Sequence, residues 1–100
     1  MSTAPVTVTV TCRAKPGMEQ RTKEYFIRLL GPSRAEDGCI DYCWQQSLTD
    51  PAVFLLYMNW RDEAAFDRHV HDPLVSTFDQ QLAGELLAEP YVLTRWQQLG

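Results

Sequence analysis

The sequence predicts an α+β fold, in which a four-stranded antiparallel sheet carries helices on one face. Three observations lead to this prediction. Segments with strand periodicity and segments with helix periodicity follow one another in the order β-α-β-β-α-α-β. Turn or helix-breaking residues lie between these segments. The length of 100 residues suits one domain that spans residues 1–100.

The first strand and the first helix differ in the spacing of their apolar residues. Valine alternates with threonine after Pro5, which predicts a half-buried strand over Val6–Arg13. From Met18 to Leu30 the apolar residues recur at helical spacing and form one stripe. Gly31-Pro32 is expected to end this helix, because glycine tolerates a left-handed cap and proline cannot continue a helix.

The next two segments are predicted to form a β-hairpin. Cys39–Gln46 is the second strand, and its alternation places Ile40 on the same face as Tyr42 and Trp44. Val53–Trp60 is the third strand, and the loop that joins the two strands is short enough for a hairpin.

Two helices are predicted after the hairpin. The first begins at Arg61-Asp62 and carries apolar residues as far as Val70. Asp72 caps the second helix, and Pro73 occupies its first position, where the missing N–H group costs nothing. Apolar residues at helical spacing continue from there to Leu82.

A final strand, Tyr91–Leu99, follows the break at Glu89-Pro90. The complete order is the split βαβ, or ferredoxin-like, arrangement with its second helix in two pieces. In that arrangement the first and third strands are neighbours in the middle of the sheet, and the helices pack on one face.

The third strand also predicts a homodimer. It is apolar on both faces almost to its end, whereas a sheet with one face in water should alternate apolar and polar residues. The helices can cover only one face, so a second copy of the sheet is expected to cover the other. The alternative is that the C-terminus of the same chain covers this face.

Composition and charge exclude several classes of function. The net charge of −4 and the absence of a basic patch argue against nucleic acid or an anionic membrane as a partner. The longest apolar run, Ala52 to Met58, is far shorter than the ~20 residues of a membrane helix. The first ten residues contain no Lys, Arg or apolar block, so no secretory signal is expected. A cytoplasmic location with three reduced cysteines is the default expectation.

Four short motifs together resemble the antibiotic biosynthesis monooxygenase family. In chain order they are Lys15-Pro16-Gly17, the segment from Ser33 to Tyr42, Asp50-Pro51, and the segment from Trp60 to His69. The resemblance implies a dimeric α/β barrel of ferredoxin-like protomers, with a pocket between sheet and helices in each protomer. It also implies cofactor-free oxygenation of small aromatic compounds, although relatives with this fold degrade haem or isomerise signalling molecules.

Individual positions both match and depart from the family. Trp60 matches the tryptophan that ends the third strand and is placed in the pocket wall. In one polyketide oxygenase of the family a tyrosine stands at the position of Phe66, an asparagine stands at that of Leu56, and the pocket arginine aligns near Asp79. The set of polar pocket residues of that enzyme is therefore largely absent here.

Two other groups of relatives give a mixed comparison. Quinol-monooxygenase-like members have a glutamate at the position of Met58 but share the helix histidine, His69. Haem-degrading relatives have an asparagine on the first strand, where the nearest residue here is Val10. Haem degradation is therefore not expected.

His69 is the predicted catalytic residue. It follows Phe66 by three positions and Ala65 by four, so it lies on the apolar stripe of its helix. A neutral imidazole can accept a proton near pH 7. The alternative is a histidine that only packs and hydrogen-bonds within the fold. The neighbouring His71 is expected to be solvated, and Glu36 and Asp37 are interpreted as loop charges in solvent.

Five residues are predicted to bind the substrate by enclosing a flat apolar ring. They are Trp60, Phe66, Met58, Leu56 and Phe78. Each of them is equally an ordinary core residue. No cofactor site and no metal site are predicted, since Asp67 and His71 share a helix face that excludes His69, and a catalytic metal normally takes three protein ligands.

These observations favour a cofactor-independent monooxygenase that uses O2 to oxidise a small aromatic hydroquinone, phenol or anthrone to a quinone. Two alternatives remain open. One is a non-catalytic dimeric protein that binds a small molecule, which the residues Leu56, Met58 and Asp79 favour. The other is an isomerase that acts on a small carbonyl metabolite, with His69 as the proton shuttle.

Overall fold

The computed structural model describes residues 4–100. Residues 1–3, which belong to the predicted domain and to the N-terminal segment in which no secretory signal is expected, lie outside the described residues. The elements in chain order are β1 (Val6–Arg13), α1 (Glu19–Arg34), β2 (Cys39–Gln46), β3 (Val53–Trp60), α2 (Glu63–Val70), α3 (Pro73–Thr77), a π-helical turn (Phe78–Leu82), α4 (Ala83–Leu86) and β4 (Val92–Trp96).

The four strands form one antiparallel sheet in the order β2-β3-β1-β4. The predicted ferredoxin-like arrangement is confirmed, with β1 and β3 as the central pair. Their register pairs Val8 with Met58 and Val10 with Leu56, and all four side chains face the helices and are buried. These alternate positions of the two strands form the floor of the hydrophobic core.

The helices complete the core on that face of the sheet. Phe26 of α1 stacks on Trp44 of β2 at a centroid distance of 3.7 Å and meets the edge of Phe54 at 5.4 Å. The N-terminus of α2 is capped by the carboxylate of Asp62, which accepts a hydrogen bond from the backbone N–H of Ala65. The predicted cap at Asp72 is also present.

The prediction that Gly31-Pro32 ends the first helix is wrong, because α1 continues to Arg34. Both residues are exposed, so the carbonyl that the proline leaves without a hydrogen-bond donor can be solvated. The backbone N–H of Ala35 still donates to the carbonyl of Gly31 at 3.1 Å. Burial of Ser33, one residue later, holds this last turn against the sheet.

Two details of the strands also differ from the prediction. A register shift between Cys39 and Asp41 leaves Ile40 as an extra residue, and its side chain is 56% exposed. A bulge of this kind cannot be read from alternation, because it interrupts the alternation. The last strand is shorter than predicted and ends at Trp96.

The second face of the sheet is only partly covered by the chain itself. The indole N–H of Trp96 donates to Thr9 Oγ1 at 2.8 Å, and Gln98 Nε2 donates to Thr7 Oγ1 at 3.2 Å. Leu55 and Tyr57 of β3 and the side chain of Trp96 nevertheless remain exposed. Within residues 4–100, no helix has the length and apolar character needed to cross a membrane.

Candidate functional site

A small apolar cavity of about 70 Å³ lies between the sheet and the helices. Its floor includes Leu56 and Met58 of β3, and its walls include Phe66 of α2 and Phe78 of the π-helical turn. Four of the five residues predicted to bind substrate therefore lie together around one space. The fifth, Trp60, is fully buried and is not part of the lining.

His69 lines this cavity from the last turn of α2 and is only 3% exposed. Its ring lies between aromatic neighbours that hold the imidazole plane. The centroid of Trp60 is 4.6 Å away at an angle of 33°, and the ring of Tyr42 meets the imidazole edge-on at 5.6 Å. Trp60 therefore packs against the imidazole ring without lining the cavity itself.

The protonation pattern of His69 follows from its single side-chain partner. His69 Nδ1 lies 2.9 Å from Glu36 Oε2. An ionised carboxylate only accepts hydrogen bonds, so Nδ1 carries the hydrogen and donates it. Nε2 is then the nitrogen with a free lone pair, and it makes no hydrogen bond to any of residues 4–100. In this arrangement Nε2 of His69 can act as a base, and the carboxylate of Glu36 binds the opposite ring nitrogen.

Glu36 is a site residue that the sequence analysis missed. Its side chain is 20% exposed, and it comes from the loop between α1 and β2. The loop is fixed by Gly38, whose φ is +87° and whose carbonyl accepts from the backbone N–H of Arg61 at 2.7 Å. Arg61 also binds Asp37 through two hydrogen bonds and lowers the pKa of that carboxyl. Asp37 is exposed, as expected of a loop charge, whereas Glu36 is not.

Two further polar groups line the cavity and remain neutral. Burial raises the pKa of the Tyr42 hydroxyl, which accepts a hydrogen bond from Trp44 Nε1 at 3.2 Å. Burial also raises the pKa of the Cys12 thiol to about 12, so this cysteine is not a nucleophile at neutral pH. His69 is the imidazole in the lining of this cavity.

A second pair of polar residues lies at the boundary of the cavity. The hydroxyl of Tyr91, just before β4, donates to Asp79 Oδ1 at 2.8 Å. Partial burial and the neighbouring Asp79 carboxylate raise the pKa of Tyr91 to about 12. The sequence analysis did not identify Tyr91, because only the fold brings the segment after Pro90 next to the π-helical turn.

The expectation that His71 is solvated can be compared with the structure. The side chain of His71 is 75% exposed and points away from the cavity. In the part of the chain from residue 4 onward, no three His, Cys, Asp or Glu side chains converge as a metal ion would require.

The sequence and the fold of this chain are similar to those of known proteins. The model of the antibiotic biosynthesis monooxygenase family matches residues 5–81. The chain is 30% identical over 92 residues to Rv0793 of Mycobacterium tuberculosis, which is named as a candidate monooxygenase, and the match covers 92% of this chain and 89% of that protein. The solved structure of Rv0793 superposes with a TM-score of 0.89 at 28% identity and covers 97% of each chain.

Two other proteins are similar to this chain. The crystal structure of PA3566 from Pseudomonas aeruginosa has a TM-score of 0.89 at 32% identity, covering 100% of this chain and 98% of that one. An uncharacterized protein of Synechocystis sp., sll1783, is 36% identical over 90 residues, which is 86% of this chain. This chain spans 58% of the length of the cyanobacterial protein.

Proposed function

Because the chain belongs to the antibiotic biosynthesis monooxygenase family, we propose that it oxidises a small aromatic hydroquinone, phenol or anthrone to a quinone with O2 and no bound cofactor. One observation carries this proposal. A histidine that is almost fully buried lines an apolar cavity, and its Nδ1 is held by a carboxylate. Such a pair is suited to removing a proton from a ring hydroxyl.

The reaction begins when Nε2 of His69 accepts the proton of the substrate hydroxyl. Glu36 stabilises the imidazolium that forms, since its carboxylate is 2.9 Å from Nδ1. The apolar side chains of Leu56 and Met58 leave the substrate anion without a water shell, which makes its ring electron-rich. Phe66 and Phe78 hold the ring in position beside the base.

O2 is the oxidant in the second stage. The substrate anion gives one electron to O2, and the resulting radical pair joins to form a C–O bond at a ring carbon. Cleavage of the O–O bond leaves one oxygen atom on that ring carbon, and the other departs as water with two hydrogen atoms of the substrate. In a phenol or an anthrone the retained oxygen becomes the second quinone carbonyl, whereas in a hydroquinone it becomes a hydroxyl group on the quinone. The net change is the loss of two hydrogens and the gain of one oxygen by the substrate.

The size of the cavity favours substrates with a single ring. Its volume of about 70 Å³ is less than half of the ~150 Å³ apolar cavity that is known to hold benzene. A ring therefore enters only when the walls move apart. The wall at Phe78 belongs to a π-helical turn, a geometry that is rare in helices and frequent at functional sites. We infer that a one-ring hydroquinone or phenol is a better substrate than a three-ring anthrone.

O2 consumption by the purified, metal-stripped protein tests the proposal. With a panel of hydroquinones, phenols and anthrones, we expect uptake above the autoxidation background. His69→Ala should lower kcat by roughly 10²–10⁴-fold, which is the usual contribution of a positioned base. His71→Ala is the matched control, because its side chain is 75% exposed and outside the cavity.

Unchanged turnover in His69→Ala with a lowered Tm would instead assign a structural role to this histidine.

A non-catalytic binding protein is the second candidate, since Leu56 and Met58 leave the floor of the cavity without a polar group. Ligand binding without O2 uptake by any compound would favour that function. Proton exchange into a carbonyl substrate without O2 uptake would favour an isomerase.

We also propose that the protein works as a homodimer in the cytoplasm. Leu55 and Tyr57 are exposed on the sheet face opposite the helices, which supports pairing of two sheets through this face. The three free cysteines fit a reducing compartment. Light scattering at micromolar concentration should give twice the protomer mass of 11.5 kDa, and a mass of one protomer would refute the dimer.

A further inference from the structure

A second and larger concavity adjoins the apolar cavity beside His69, which is called the inner cavity below. It is a surface cleft of about 660 Å³, and its lining includes Lys15, Gly84 and Glu89. Asp79, Leu87 and Tyr91 line both spaces. The hydrogen bond from Tyr91 to Asp79 therefore lies on the boundary between them.

The two spaces suit different parts of one ligand. The inner cavity, the space of about 70 Å³ beside His69, is lined mainly by aromatic and aliphatic side chains and takes a single ring only when its walls move apart. The cleft is open to solvent and has room for a substituent carried on that ring. A ligand that occupies both spaces passes the Tyr91–Asp79 pair.

The charge at this boundary is negative. Asp79 forms no ion pair with any of residues 4–100, and its side-chain partner is the neutral hydroxyl of Tyr91. Glu89 adds a second carboxylate to the cleft. Lys15 is the cation in the lining, and its ammonium group is turned to the carbonyl of Gly84 at 2.7 Å. The lining of the cleft thus contains one cation and two carboxylates, and Arg13, outside the lining, interacts electrostatically with Glu89.

We infer that this boundary selects the substituent of the aromatic substrate. The ring enters the inner cavity, and a protonated amine or an alcohol on a short arm lies beside Asp79 in the cleft. An ammonium group gains the attraction of Asp79, whereas a carboxylate on the same arm is repelled by it. The inference rests on the proposed function only in placing a phenolic ring in the inner cavity.

Three phenols that share a ring and a short arm but differ in charge test this inference. Tyramine carries an ammonium group, tyrosol a hydroxyl group and 3-(4-hydroxyphenyl)propionate a carboxylate. We expect the Kd values from NMR titrations of the labelled protein to rise in that order. Each step should be about fivefold, the factor for unit charges ~4 Å apart in a water-like dielectric. All titrations use the same low ionic strength, because salt screens this effect.

Asp79→Asn should weaken the binding of the amine and strengthen that of the acid, so that the ratio of their Kd values falls severalfold, and it should change the Kd of the uncharged tyrosol least. Asp67→Asn is the matched control, since it changes the net charge equally and its carboxylate is 76% exposed outside both spaces. The inference is overturned if both variants act alike, if wild type does not distinguish the three ligands, or if none of them binds at millimolar concentration.

The oxygenase proposal fails separately. If the three ligands show the expected order of Kd values but no compound of the panel causes O2 uptake, the proposed reaction is rejected and the selection at Asp79 is kept. O2 uptake at rates that do not depend on the charge of the arm would keep the proposed reaction and reject the selection at Asp79.

Discussion

Gly38→Ala and Gly17→Ala form a matched pair that tests how the loop carrying Glu36 is held. The two glycines have nearly the same backbone conformation, with φ of +87° at Gly38 and +86° at Gly17. Their surroundings differ. A Cβ atom added at Gly38 would lie 2.5 Å from the Cβ of Ala65 in α2, whereas one added at Gly17 would meet nothing within 4 Å.

The expected losses of stability follow from this difference. A left-handed conformation costs an L-residue ~1–2 kcal/mol, and both variants share this cost. Overpacking in a tight contact costs ~1–3 kcal/mol more, and only Gly38→Ala meets it. The free energy of unfolding should therefore fall by ~1–2 kcal/mol in Gly17→Ala and by ~2–5 kcal/mol in Gly38→Ala.

Urea denaturation followed by circular dichroism measures both values, with all samples at one protein concentration because a dimer makes stability concentration-dependent. Adding Ala65→Gly to Gly38→Ala should recover part of the loss, since it removes the opposing Cβ atom. Equal losses in the two single variants would refute the reasoning, because the close approach of this loop to α2 would then contribute nothing.

Three further predictions concern a tautomer, a buried hydroxyl and pH. Glu36→Gln keeps an acceptor oxygen for Nδ1–H of His69 but removes the negative charge that stabilises the imidazolium, so kcat should fall by roughly tenfold, because hydrogen bonds to charged groups are about 1–1.5 kcal/mol stronger than neutral ones. ¹⁵N NMR of the wild type should show the hydrogen on Nδ1, and a hydrogen on Nε2 alone would contradict the assigned tautomer. Thr22→Val should raise the free energy of unfolding by ~1 kcal/mol, because the buried Oγ1 of Thr22 has no hydrogen-bond partner. A Tm below that of the wild type would contradict this prediction. Arg61 lowers the pKa of Asp37 in the folded state, so their ion pair stabilises the fold at pH values above the ordinary pKa of an aspartate, and this stabilisation is lost as the pH falls through that range. The free energy of unfolding of Asp37→Asn should therefore fall less than that of the wild type between pH ~5 and ~3. Parallel curves of stability against pH would contradict this role of the ion pair.

Most of the fold was predictable because its signals are local. Alternation over Val6–Arg13 and the cap at Asp72 need no knowledge of the rest of the chain. The errors arose where tertiary contacts override a local rule. Gly31-Pro32 remains helical because the turn that follows is held by the buried Ser33, and the bulge at Ile40 lies within a strand whose composition is ordinary.

The candidate site was predictable only where its residues share one element. Phe66 and His69 are three positions apart on α2, so their common face could be read from helical spacing. Glu36 lies 33 positions from His69, and Tyr91 lies 12 positions from Asp79. No periodicity relates such pairs, because the approach of a loop to a helix is decided by packing and by the conformation at Gly38.

The π-helical turn at Phe78–Leu82 has a consequence for the alignment of this chain with its relatives. Each of its hydrogen bonds spans one residue more than in an α-helix, so the turn is equivalent to a one-residue insertion. A relative whose helix is regular here needs a single gap within these five positions. Moving that gap by one residue rotates the matched helix face by ~100°. Which residue of a relative corresponds to Asp79 therefore depends on geometry that identity scores do not contain.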